Sequence, residues 1–95
     1  MAKSIIQDTK ECFITGSTRN LHEHHIFGGR GLRKLSEKYG LKVYLIAELH
    51  NMSNKGVHFD KEFDLRLKRM AQKKAMAHYG WTTEDFIRIF SRNYL

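Results

Sequence analysis

The tract LHEHHIFGGRG, residues 21–31, constrains this chain more than any other stretch. His22, His24 and His25 fall within four residues, and Gly28, Gly29 and Gly31 follow at once. In a regular strand, adjacent side chains point to opposite faces. His24 and His25 can therefore share one site only where the strand ends, and the glycine run supplies that ending. LKVYLI, residues 41–46, is β-branched and aromatic and reads as a second strand. The stretch between them, with Arg30, Arg33, Lys34 and Lys38, reads as a basic loop. Upstream, CFIT (12–15) runs into the turn signal Gly16-Ser17-Thr18; downstream, a short helical pattern runs from Ala47 to Asn54.

The second half carries stronger helix signals. Asp60 is a cap for a helix with Glu62 and Asp64 in its first turn and Lys and Arg in later ones, which suits the helix dipole. Phe63, Leu67, Met70 and Ala71 recur at helical spacing and are expected to face the core. Gly80 is the stop signal. Thr82 or Thr83, followed by Glu84 and Asp85, opens a last helix with Phe86, Ile89 and Phe90 turned inward. Trp81, Tyr79, Phe86 and Tyr94 are expected to join these helices to the core.

Ninety-five residues make one domain at most, here residues 1–95, and 41% hydrophobic content argues against disorder. Seventeen basic against ten acidic side chains leave a net charge of +7, so a polyanion is the first partner to consider. No run approaches the roughly 18 apolar residues of a membrane span, and MAKSIIQDTKECF lacks a secretion signal's apolar stretch. The single cysteine, Cys12, excludes an internal disulfide framework and a four-cysteine zinc site. A reducing, cytoplasmic setting is the expectation.

His50 and His58 lie 25 and 33 residues beyond His25. Neutral imidazole is a ligand for borderline divalent metals and also a general base near neutral pH. A nuclease needs both, a cation on the phosphate and a base on the attacking water. One strand of three histidines, a basic glycine loop, a second strand and two later histidines fit that need.

EHHIFGGRG, then SEKYGLKVYLIAELHN, then GVHF, resembles the HNH endonucleases, and most closely their small phage and bacterial members. The resemblance implies an α+β fold: a ββα-metal (His-Me finger) core over about residues 12–60, followed by two carboxy-terminal helices over about 60–95. It implies metal-dependent hydrolysis of DNA phosphodiester bonds, with phage or mobile-element DNA processing or recombination as the setting. By position, His24 matches the first metal ligand and His25 the general base. His50 matches the second ligand, and His58 is taken as the third in preference to Asn54. One divalent ion, Mg, Mn, Ni or Zn, is expected, with no small-molecule cofactor. Arg30, Arg33 and Lys34 are expected to contact the DNA backbone, with Lys38, and Lys42 just inside the strand, beside them. His22 is a candidate supporting group, His78 has no assigned role, and a homodimer is compatible with double-strand cutting.

The chain departs from the family pattern twice. The two CxxC pairs of many members read Cys12-x-x-Thr15 and Ile46-x-x-Leu49 here, so apolar packing is expected to replace a structural zinc. The asparagine that names the motif falls near Leu41, so a backbone carbonyl or another side chain must orient His25. Two competing readings follow. In one, Cys12, His24, His50 and His58 close a zinc site in a non-catalytic nucleic-acid-binding module. In the other, the fold is an inactive derivative of the nuclease.

Overall fold

The computed structural model describes residues 3–52 and 60–95. They form an α+β fold with the order β1 (Leu21–His25), α1 (Leu32–Tyr39), β2 (Lys42–Ile46), a π-helical turn (Glu48–Met52), α2 (Lys61–Tyr79) and α3 (Thr83–Phe90). β1 and β2 pair antiparallel, with His22 opposite Leu45, His24 opposite Val43 and His25 opposite Lys42. The alternation of the pleat then divides the histidines. His22 and His24 share a face with the buried Leu45 and Val43, whereas Glu23 and His25 share the other with Tyr44 and Lys42.

The segment between the strands is a helix, not the basic loop that its composition suggests. Leu32, Leu35, Ser36 and Tyr39 recur at i, i+3, i+4 and i+7 and turn toward the core, while Arg33, Lys34 and Lys38 stay exposed. Ser36 ties the helix to the strand: its fully buried hydroxyl accepts from Phe27 N at 3.0 Å and donates to Phe27 O at 2.8 Å. Gly40 ends the helix with φ at +72°. A Cβ there would collide with the carbonyl of Lys3 and the backbone of Ile5, so glycine is required both for the turn and for the close approach of the amino-terminal segment.

α2 begins and ends, and α3 begins, where the sequence signals them. Asp60 accepts from the amides of Glu62 and Phe63, each at 3.1 Å, and Gly80 closes α2 with a left-handed cap. Thr82 and Asp85 form a reciprocal capping box at the start of α3. Leu67 and Ala71 are buried and Phe63 and Met70 half-buried, on the face the spacing selects.

An aromatic cluster holds these helices to the sheet. Phe27, two residues past β1, is fully buried, with ring centroids 5.5 Å from Phe86, 4.8 Å from Phe90 and 5.1 Å from Tyr94. Trp81 packs edge-on against Tyr39 at 4.9 Å, joining the α2–α3 turn to α1. Cys12 is buried in the same core, its Sγ accepting from Thr15 N at 3.4 Å. Among the described residues, no helix is long and apolar enough to cross a membrane.

A candidate histidine site

Antiparallel pairing carries the chain from β1 back alongside itself, and the π-helical turn after β2 then brings His50 to the strand bearing His22 and His24. The Nδ1 atoms of His22 and His50 are 3.0 Å apart, so one ring donates to the other. The His50 ring centroid is 5.1 Å from that of His22 and 5.3 Å from that of His24. His24 is buried, and His22 and His50 are half-buried. His58 and Asn54, the two alternatives for a third ligand, lie outside the described residues. His22, expected only to support the ligands, thus stands as close to His50 as a ligand would.

One pair of this cluster, His22 and His50, has nitrogens spaced as two ligands of a divalent ion would be. Two imidazole nitrogens on one zinc-sized ion, each about 2.0–2.1 Å from it, stand about 3.3 Å apart in tetrahedral geometry. The 3.0 Å between His22 and His50 is close to that spacing. Neutral imidazoles suit the borderline metals.

His25 belongs to a different environment. Its Nε2 lies 3.1 Å from Glu37 Oε1 and 3.7 Å from Glu23 Oε1. The ammonium of Lys42, on the strand opposite, lies 2.7 Å from Glu37 Oε2 and 3.7 Å from Glu23 Oε2. Lys42 is therefore not a phosphate contact: it is 6% exposed and bridges two carboxylates. Glu23, His25 and Glu37 offer donor atoms all within 4.8 Å of one another, a carboxylate-rich set of the kind that takes Mg or Mn. A metal there would have to meet the Lys42 ammonium, which already neutralises part of that charge.

Although they face opposite sides of β1, His24 and His25 border one cleft, of about 280 Å³. Ile26, Gly28 and Gly29 form its near wall, and Lys61, Asp64 and Lys68 from the first turns of α2 form its far wall. The ending of β1 at His25 makes this possible, since the next residues leave the pleat. A larger pocket, about 460 Å³, lies between residues 3–10 and β2; Glu23, Lys42 and Tyr44 line it but no histidine does.

Arg30, Arg33 and Lys34 are exposed, Arg30 beside the glycines and the other two on α1. The cleft instead carries Lys61 and Lys68, neither of which the sequence singles out as a leading phosphate contact. The i, i+3 and i+7 spacing of Lys61, Asp64 and Lys68 shows that they share a face, but which element that face meets is decided by tertiary packing. Glu37 was also missed. Its place on a helix, one turn after Arg33, is visible only once α1 is recognised.

Lys42, and then His25, hold the Glu37 carboxyl below the ordinary glutamate range through hydrogen bonds to its ionised form. A lowered carboxyl stabilises the fold fully above its unfolded pKa, about 4.3, and that contribution disappears as pH falls through the lower folded value. Wild-type stability is thus expected to fall more steeply on acidification than that of Glu37→Gln. Urea midpoints near neutral pH and below the ordinary glutamate pKa check this; equal losses in both proteins would refute it.

Compared with protein-family models, curated proteins and solved structures, the chain matches none.

Proposed function

We propose that this protein is a metal-dependent endonuclease that hydrolyses DNA phosphodiester bonds, built on a ββα-metal core. The observation that carries this reading is the joining of a histidine cluster and a carboxylate-paired histidine at one strand end. His24 and His25 border one cleft, His50 approaches His24 and His22 from beyond β2, and lysines line the opposite wall.

His24 and His50 would hold the divalent ion, with His22 or His58 as the third imidazole. The chemistry such an ion supplies is neutralisation of the negative charge that gathers on a phosphate under attack. His25 takes a proton from a water molecule, and the water oxygen forms a bond to phosphorus as the bond from phosphorus to the 3′ oxygen breaks. The proton gained by His25 returns to solvent, and the departing oxygen acquires one from solvent. Lys61 is suited to hold a phosphate that flanks the scissile one, beside Lys68, which pairs with Asp64 at 2.7 Å, and the exposed Arg30, Arg33 and Lys34 to hold the backbone farther along. Such contacts position the strand without reading its sequence and weaken with added salt.

Plasmid nicking by the purified protein in Mg, Mn, Ni or Zn, against EDTA, tests the proposal. Nicking in at least one metal, abolished by EDTA and lowered in His50→Ala together with metal affinity, is the expected result. Absence of nicking in every metal by a folded, DNA-retaining protein would remove the enzymatic reading and leave a binding module.

A further inference from the structure

We infer that Glu37, held in place by Lys42, is a positioning residue that fixes His25 in the tautomer with its proton on Nε2 and its lone pair on Nδ1. The inference deepens the nuclease reading and rests on it for its catalytic consequence, although the tautomer itself does not depend on activity.

The argument begins with donor and acceptor capacity. A neutral imidazole carries one N–H and one bare nitrogen, whereas an ionised carboxylate only accepts. Glu37 Oε1 lies 3.1 Å from His25 Nε2, and its other oxygen, Oε2, takes the Lys42 ammonium at 2.7 Å. An ammonium only donates, so it keeps a carboxylate oxygen turned toward itself and keeps that carboxylate ionised. The hydrogen between Glu37 and His25 then has to sit on Nε2, which leaves Nδ1 bare to receive a proton from water. Lys42 is itself held: it is buried, it stands directly opposite His25 in the sheet, and Glu23 flanks it at 3.7 Å. α1 brings Glu37 over that strand pair, anchored one residue earlier by the buried Ser36 hydroxyl. The group that orients His25 is therefore a side chain from the inter-strand helix, acting in the absence of an asparagine at Leu41.

This arrangement makes Glu37→Gln more informative than a simple deletion. A glutamine carries one oxygen and one amide nitrogen. Lys42 still requires an acceptor, so the oxygen turns to Lys42 and the amide N–H₂ turns to His25. With the Glu23 carboxylate 3.7 Å away, the nearer amide N–H₂ makes Nε2 the acceptor, and the imidazole proton moves to Nδ1, where it blocks the base. Removing the competing ammonium in Glu37→Gln/Lys42→Met frees the glutamine oxygen to face His25 and restores the Nε2–H form.

The test pairs tautomer with kinetics. Long-range ¹H–¹⁵N NMR of the metal-free protein, under conditions where His25 is neutral, reads which ring nitrogen carries the proton. Plasmid nicking reads kcat and KM separately. The expected results are Nε2–H in the wild type and Nδ1–H in Glu37→Gln. With them goes a kcat lowered about 10- to 100-fold with KM little changed, as for loss of an orienting partner. The double variant should recover both. An Nδ1–H wild type overturns the inference whatever the variants do, including if Glu37→Gln fails to fold. So does a Glu37→Gln protein with wild-type tautomer or wild-type kcat. If no protein nicks but the tautomer inverts and recovers as described, the nuclease reading falls and the role of Glu37 in setting the imidazole proton stands.

Discussion

Alanine in place of His25 is expected to lower metal-dependent nicking about 10²–10⁴-fold, the usual contribution of one general base. Retention of DNA and of bound metal should be nearly unchanged, because His25 faces the Glu23–Glu37–Lys42 side of β1 and not the His22–His24–His50 cluster. Its removal leaves Lys42 still paired with both carboxylates, so stability should change by about 1 kcal/mol or less. The converse pattern is expected of His24→Ala: metal affinity falls along with rate, since this ring belongs to the cluster. Nicking assays together with metal titrations separate the two variants. If His25→Ala cuts as fast as the wild type, His25 is not the base; if it loses metal while His24→Ala keeps it, the two histidines have been assigned the wrong way round.

Phe27→Ala should have the largest effect on stability, about 3–5 kcal/mol, the range for emptying a buried phenylalanine site. The ring is fully buried and touches three other aromatic rings, Phe86, Phe90 and Tyr94, at centroid distances between 4.8 and 5.5 Å. Such pairs each add to what buried area alone contributes. A chain of this size has about 5–15 kcal/mol in total, so the loss is a large share of its stability. Its melting midpoint should drop by roughly 4–8 °C for each kcal/mol lost. The consequence for the site is direct. Phe27 lies two residues beyond His25 and carries the contacts between the end of β1 and α3, so the cleft loses its near wall as the cluster loosens. Urea unfolding of wild type and variant measures the effect. A loss under about 1.5 kcal/mol would mean that the remaining rings close over the vacated space.

Several features of the fold were legible without coordinates, for a shared reason. Asp60, Gly80 and Thr82 act on backbone groups two to four residues away, so their effect is written in the local sequence. The strands at 21–25 and 42–46 follow from composition and bounding glycines. The helical period of Leu32, Leu35, Ser36 and Tyr39 was also available, but four charged residues among eight and a glycine at each end made α1 read as loop. Gly31, its N-cap, offers no side-chain acceptor, so the usual start signal is missing.

The site was less legible. Sequence alone marked His24, His25, His50 and His58 as chemistry-bearing, because a histidine pair, a basic glycine-rich stretch, a strand and two later histidines are together hard to place in an ordinary core. It could not show that His22 Nδ1 comes within 3.0 Å of His50 Nδ1, nor that Glu37 and Lys42 converge on His25. Lys42 shows the difference most plainly. Its sequence neighbourhood is basic and suggests a phosphate contact, yet strand register sets it opposite His25 and α1 lays Glu37 across it. What the sequence determined by itself was everything encoded within one helical turn or one strand: caps, periodicity, breaks and the kinds of side chain present. Which of those side chains meet was decided by the pairing register and by helix packing, because contacts between residues 12 to 28 positions apart depend on how whole elements dock.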